Sequence, residues 1–342
     1  MNNFFNKMNM ILWIKFYVIP SLLLMNILSM FINNIYLMWI FIEINNINFI
    51  SLMTLTNFNN KKKTNSIFTY YIIQSISSLL MILSFINYFN IYEMNTMFEF
   101  SLLIKLSIFP FHLWIIPVIM KSKWNIIFIL SSIQKINPFM MINLYKFSKN
   151  LILISMLSII ICSYIMMKQT KLKKIFAYSS IIHSSWMLIM IMLNKNYWMI
   201  YFVNYTMIFF CLMNMFLMLN INNNKFFYSI NLLNYKFKFL FLLLMMSIMG
   251  MPPLNMMWMS MISIKILLNS LNLSSILILS MLLLSKLMMM KTYLYFSYPI
   301  FFMKNFSMKN MIEYSNINKM NIFYMILSLM ILLILFNIWM YI

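Results

Sequence analysis

The chain reads as an all-α polytopic membrane protein. Three observations predict this class. Of its 342 residues, 64% are hydrophobic and only 8% are charged, whereas a soluble domain runs at roughly 45–50% apolar and about 25% charged. The apolar residues gather into stretches of the length a helix needs to cross a bilayer, about 20 residues. Most of the 25 lysines fall between those stretches.

Eleven spans follow from this pattern. The first is 9–31, with Lys15 inside it. The second, 35–53, carries Glu43 in FIEINNINFISL. The third, 67–89, holds Gln74, Ser77 and Ser78. The fourth, 98–116, contains SLLIKLSIFPFHLW, where Lys105 lies in an apolar run and Pro110 predicts a break. The fifth, 124–145, carries Ser131, Ser132, Gln134 and Lys135. The sixth and seventh are 150–167 and 172–193, the latter with His183 in YSSIIHSSWM. The eighth, 197–220, holds Asn204 and Thr206. The ninth, 237–269, is too long for one straight crossing, and Gly250, Pro252 and Pro253 predict a broken helix. The tenth is 274–297 and the eleventh 320–341.

Lysine sidedness agrees with eleven crossings. Sixteen loop lysines, including Lys61, Lys62 and Lys63, then fall on one side and three (Lys146, Lys149, Lys195) on the other. Loop lysines mark the side that is not translocated, so the N-terminus is expected on the lysine-rich side, which is the matrix side should the chain be mitochondrial. Glu93 and Glu99 are expected at the opposite surface, solvated or against a partner.

The spans divide into two blocks of five, 9–145 and 150–297, with the C-terminal helix 320–341 outside them. Five is odd, so the second block runs inverted. The fourth helix of each block is broken, SIFPFHLW in one and SIMGMPPLNMMW in the other. Paired broken helices in inverted repeats are found in transporter cores. The whole chain is expected to form one membrane domain.

Lysines within the spans are Lys15, Lys105, Lys135, Lys265, Lys286 and Lys291. Lys15 and Lys291 can snorkel to an interface. A charge at the bilayer centre costs about 2.5–3.5 kcal/mol on insertion scales and marks function or a paired structural role. Glu43 is the acid available at mid-span, so Lys105 is its expected partner. A change in their separation would change the proton affinity of the lysine, as a proton relay requires. A static pair that fixes helix register is the structural alternative. His112 lies seven residues after Lys105, and His183 is flanked by four serines. Each suits proton transfer, or a ring satisfied by neighbouring hydroxyls. The polar residues of spans three, five and eight either line a water chain or join helices.

Arginine and aspartate are absent, Ala177 and Gly250 are the only residues of their types, and there are 43 methionines. These biases fit an AT-rich genome in which ATA reads as methionine, as in animal mitochondria. Methionine stripes and asparagine runs are therefore read as compositional drift. Cys162 and Cys211 suit buried thiols. No metal or nucleotide motif occurs, and lysines spread over loops argue against nucleic acid. No secretory cleavage pattern follows the first apolar stretch.

Five stretches carry a family resemblance: IEINNINFISL around Glu43, LLIKLSIFPFHLW at 102–114, IQKINP at 133–138, QTKLKKIFAYSSIIHSSWM at 169–187 and GMPPL at 250–254. In these the chain resembles the NADH–ubiquinone oxidoreductase chain 2 family, mitochondrially encoded antiporter-like subunits of respiratory complex I. The resemblance implies a non-redox, proton-translocating core subunit of that enzyme in the mitochondrial inner membrane. It implies no cofactor in this chain, with NADH, FMN, iron–sulfur clusters and ubiquinone handled by other subunits. The implied partners are other membrane-arm subunits, including a neighbouring antiporter-like one, and membrane lipids. By position, Glu43 and Lys105 match the family's coupling pair, Lys135 its central lysine and His183 a polar relay group, with protons carried between them by water. A further family lysine lies beyond the second break. Its position here is Ser260, and Lys265 and Lys286 are the candidates to replace it. A stand-alone cation/proton antiporter and a purely structural membrane-arm subunit are the two rival readings.

Overall fold

The computed structural model describes residues 14–56, 61–85, 91–144, 150–193, 197–218, 235–252, 254–270 and 273–302. The expected eleventh span and Pro253 lie outside them. Among the described residues the chain is helical, with no strand. A backbone in hydrocarbon has no water to bond to, so apolar runs close their hydrogen bonds internally as helices.

The chain divides into two compact units, Met1–Ser158 and Ile159–Ile342. In the first, a π-helical turn at Ile14–Val18 leads into α1 (Ile19–Phe31). Pro20 stands at the start of α1, where its missing N–H costs nothing. Then come α2 (Ile35–Thr56), α3 (Lys61–Phe85), α4 (Ile91–Leu106), α5 (Ile115–Lys121), α6 (Trp124–Ser131) and α7 (Ile133–Leu144). Helix α8 (Asn150–Met167) contains the division. The second unit continues with α9 (Leu172–Leu193), α10 (Tyr197–Met218), α11 (Tyr235–Met249), α12 (Asn255–Ser270) and α13 (Leu273–Phe302).

Among the described residues, seven segments are long and apolar enough to cross a membrane: Ile35–Thr56, Thr64–Phe85, Trp124–Leu144, Asn150–Met167, Leu172–Leu193, Tyr197–Leu217 and Ser274–Tyr298. Phe16–Phe31 and Lys238–Met249 are shorter apolar helices. The remaining predicted crossings, 98–116 and 237–269, are the two interrupted ones. Leucine, phenylalanine and tyrosine side chains stand exposed along α1, α2 and α3, among them Leu24, Phe31, Tyr36 and Phe68. A lipid environment covers such surfaces without penalty.

Both interruptions are built the same way. Helix α4 ends at Leu106, and Ser107 takes a left-handed φ of 57°. The Ser107 N–H donates to the Ile104 carbonyl at 3.0 Å, and the Ile108 N–H to the Leu103 carbonyl at 3.1 Å. Helix α11 ends at Met249, and Gly250 takes φ 77°. The Gly250 N–H donates to Ser247 at 3.2 Å, and the Met251 N–H to Met246 at 3.3 Å. In each case a third bond follows at 2.7 Å, from Phe111 to Ile108 and from Leu254 to Met251. This is the Schellman closure, which satisfies the orphan carbonyls of a helix end.

The first break therefore starts at Ser107, three residues before the predicted Pro110. Proline marks the segment, but the left-handed serine ends the helix. Another interruption was not foreseen. Ser132 (φ −117°, ψ −78°) separates α6 from α7, and the Lys135 N–H then donates to the Ser132 carbonyl at 2.9 Å.

Two lysine and acid placements are corrected. Glu99 was expected at the surface but is buried, at 5% exposure. Helix α4 starts at Ile91, seven residues before the predicted span, so Glu99 sits on its third turn. Lys238 was counted with the loop lysines; it lies inside α11 and is buried.

Candidate functional site

In the first unit, α2 and α4 bring Glu43 and Lys105 together. Lys105 Nζ donates to Glu43 Oε1 at 3.1 Å, forming a salt bridge. The lysine side chain is 2% exposed and the glutamate 28%. The cation is thus sealed, while the carboxylate keeps a partly open face. Lys105 belongs to the last turn of α4, where the negative end of the helix dipole favours a cation. The Trp114 indole N–H donates to the Ile104 carbonyl at 3.2 Å, which ties the returning segment to this helix end.

Lys135 is 2% exposed and lines the same cavity as Lys105. The cavity measures about 20 Å³, and a water needs about 10–15 Å³. Its polar wall comes from Asn45 and Asn46 of α2, Tyr70 and Gln74 of α3, Ser107 of the break, and Gln134 and Asn137 of α7.

Composition reads the asparagine runs as mostly drift, yet several asparagines around this cavity are packed into one hydrogen-bonded network. Asn45 Nδ2 donates to Asn26 Oδ1 at 2.8 Å, and the Ser29 hydroxyl donates to Asn137 Oδ1 at 2.7 Å. The Tyr70 hydroxyl donates to Asn46 Oδ1 at 3.1 Å, and Gln134 Nε2 to the Asn45 carbonyl at 3.3 Å. Asn45 Oδ1, Asn46 Nδ2 and Asn137 Nδ2 are buried beside the cavity without a hydrogen-bond partner. Buried polar atoms of this kind are the ordinary ligands of internal water. Their spacing against Glu43 and Lys135 held the signal: Asn46 is one turn from Glu43, and Asn137 two residues from Lys135.

Several predicted polar residues do other work. Ser77, Ser78, Ser131 and Ser132 donate to carbonyls of their own helices, the usual fate of serine in an apolar helix. Asn204 does likewise with the Ile200 carbonyl. Thr206 bonds the Val203 carbonyl and is half-buried. His112 is buried in the first break, 5.5 Å from the Phe109 ring between centroids. It is not among the residues lining the cavity that Lys105 and Lys135 share.

In the second unit, His183 lies on α9, a helix buried along most of its length. The four flanking serines donate to the carbonyls of Phe176, Ala177 and Ile181 on the same helix. The Nδ1 partner comes instead from α10: His183 Nδ1 and the Tyr201 hydroxyl are hydrogen-bonded at 2.8 Å. The Tyr205 ring lies 4.8 Å from the imidazole, and Trp186 stacks on Tyr201 at 6.3 Å.

The two replacement candidates separate. Lys265 is exposed on α12. Lys286 is 6% exposed on α13 and reaches the second break. Its Nζ donates to the Met256 carbonyl at 3.5 Å and lies 4.8 Å above the Trp186 ring. Ser260 is buried and donates to the Met257 carbonyl. Among the described residues, no group of three or more histidine, cysteine, aspartate or glutamate side chains is gathered as a metal would require. Cys162 and Cys211 are buried free thiols.

A buried ion pair, a polar cavity and two matched helix breaks define an antiporter-like membrane core. The family model described as "NADH:quinone oxidoreductase/Mrp antiporter, TM" matches residues 32–289, and the chain belongs to that family. It is a multi-pass membrane protein. The chain is 33% identical over 230 residues to NADH-ubiquinone oxidoreductase chain 2 of Anopheles gambiae, covering 63% of this chain and 65% of that protein. It is 28% identical to the chain 2 protein of Locusta migratoria over 225 residues, again 63% and 65%. The chain thus spans 65% of the length of each of these two curated relatives. Among solved structures, a chain of respiratory complex I from Thermus thermophilus shares the fold, with a TM-score of 0.71, 15% identity, and coverage of 88% of this chain and 72% of that one.

Proposed function

We propose that the chain is a non-redox, proton-translocating core subunit of respiratory complex I in the mitochondrial inner membrane. Its N-terminus faces the matrix, and its partners are other membrane-arm subunits, a neighbouring antiporter-like one among them. NADH oxidation and quinone reduction belong to other subunits, which also carry the FMN, iron–sulfur clusters and ubiquinone. The two blocks 9–145 and 150–297 act as inverted repeats, each built around its broken helix.

The observation that carries the reading is the Glu43–Lys105 salt bridge at 3.1 Å, placed so that Lys105 shares one polar cavity with Lys135. Glu43 holds the Lys105 ammonium while the pair is closed. Drawing the carboxylate away removes the charge that favours the proton, and Lys105 releases it to the cavity. Lys135 receives it through water bound by the asparagine and glutamine side chains. His183, hydrogen-bonded to Tyr201, provides the relay group of the second unit.

The test is Lys105→Met in the assembled complex, reading protons moved per NADH oxidised. The relay reading expects a loss of proton output with the complex still assembled. Unchanged output assigns the chain a structural role in the membrane arm. Proton/cation exchange by the purified chain alone in liposomes would instead make it an autonomous antiporter.

A further inference from the structure

We infer that Lys286 is the proton-carrying site of the second unit, delivered to its helix break from α13. The inference rests on the proton-translocation reading above and adds a residue to it. It starts from the match between the two breaks. Ser107 and Gly250 close their helices with the same three hydrogen bonds. In the first unit, two lysines meet at the break. Lys105 comes from the broken helix itself, and Lys135 from the segment Trp124–Leu144, the fifth span of its block.

In the second unit the broken helix supplies no cation at the break itself; its buried Lys238 lies near the other end of α11. Ile248 stands where Lys105 stands relative to the closing residue. Ser260 bonds its own helix, and Lys265 is exposed. The fifth span of the second block, Ser274–Tyr298, carries Lys286 as its middle residue. Lys135 is likewise near the middle of Trp124–Leu144. Each lysine therefore projects from mid-span of a fifth helix toward the break of its own block.

The surroundings of Lys286 are made to admit an ammonium without fixing it. Among the described residues it makes no salt bridge. It has one long bond, 3.5 Å to the Met256 carbonyl, and the face of Trp186 at 4.8 Å. A ring face and a carbonyl favour a cation but cannot take its proton. Trp186 is one turn from His183 on α9, and its ring stacks on Tyr201, the partner of His183. Lys286 and His183 thus each contact one member of the same stacked aromatic pair. The only glycine of the chain makes the room: a Cβ at Gly250 would lie 2.9 Å from Lys286 Nζ. The chemistry is minimal. The Nζ lone pair takes a proton from water and later returns it, so only an N–H bond forms and breaks.

The experiment compares Lys286→Met with Lys105→Met in membrane vesicles holding the assembled complex. Protons moved per NADH and the thermal midpoint of the purified complex are both read. The expected result for K286M is a loss of proton output comparable to that of K105M, with the midpoint unchanged or raised. Methionine matches lysine in length and removes a buried charge that has no countercharge. A cation kept only to brace the break gives the opposite signature: a lowered midpoint with output per NADH retained. Full output in K286M beside reduced output in K105M overturns this inference alone. Full output in both overturns the translocation reading with it. If K286M does not assemble, Lys286→Gln is scored by the same criteria. Failure of both to assemble assigns Lys286 to structure and overturns the inference.

Discussion

Ser107 and Gly250 occupy one position in two copies of the same turn, 143 residues apart along the chain. They differ in what they tolerate. A left-handed φ costs a serine about 1–2 kcal/mol through its Cβ, and a glycine nothing. Ser107→Gly should therefore leave the assembled complex as stable as wild type or slightly more so. Gly250→Ala adds the Cβ penalty and a contact at 2.9 Å with Lys286 Nζ. Thermal unfolding of the detergent-purified complex checks the contrast: G250A should lower the midpoint clearly, while S107G should not.

The Glu43–Lys105 pair predicts an asymmetric mutant cycle. Its two side chains are 28% and 2% exposed. Lys105→Met leaves a carboxylate with access to its surroundings. Glu43→Gln leaves a sealed lysine that must either stay charged without a countercharge or give up its proton, and loss of one partner from a buried pair costs about 3–5 kcal/mol. The partial exposure of Glu43 places this case near the lower end. E43Q should thus destabilise the complex more than K105M, and the double variant should resemble K105M. Thermal midpoints of the four proteins decide it. Equal losses for the two single variants would contradict the geometry.

The all-helical membrane class was legible because lipid allows few ways of satisfying a backbone, and apolar length reports them directly. The Glu43–Lys105 pair was legible because charges at mid-span are rare enough to count. The asparagine network was not. In a chain so rich in asparagine, Asn45 and Asn137 offered no contrast with loop residues, and only packing separates them. Lys286 and Lys265 could not be ranked from spacing. A helix break resets the rotation of everything after it, so facing relationships across Gly250 have no simple period. Pro110 drew attention from Ser107 for a related reason. Proline announces its effect in sequence, whereas a left-handed serine is visible only in the backbone.

The asparagine network yields a prediction of its own. Asn45 donates to Asn26 Oδ1 across α1 and α2 at 2.8 Å, with both side chains buried. Asn26→Leu removes the acceptor and strands the Asn45 amide, at a cost of about 1–3 kcal/mol. Replacing both with leucine removes the stranded group and should recover much of the loss. Protease resistance and thermal midpoint of the complex report stability. Proton output should stay low in the double variant, since Asn45 also lines the cavity of Lys105 and Lys135. Recovery of both stability and output would confine the network to a structural role.

Tyr201→Phe isolates the role of His183. The substitution deletes the hydroxyl bonded to Nδ1 at 2.8 Å and keeps the aromatic ring that stacks on Trp186. A buried hydrogen bond is worth about 1–3 kcal/mol when its loss strands a partner, and each 1.36 kcal/mol in a barrier is about tenfold in rate. Without this bond the imidazole loses a contact that sets its tautomer and orientation. Y201F should therefore assemble normally and slow proton-coupled NADH oxidation by about tenfold, with an altered pH profile. His183→Gln should slow it at least as much, and combining the two should add little, because both act on one hydrogen bond. The pH profile separates relay from scaffold. A Y201F complex that is slower at every pH by one constant factor has lost only packing, whereas a changed profile places His183 on the path of the proton.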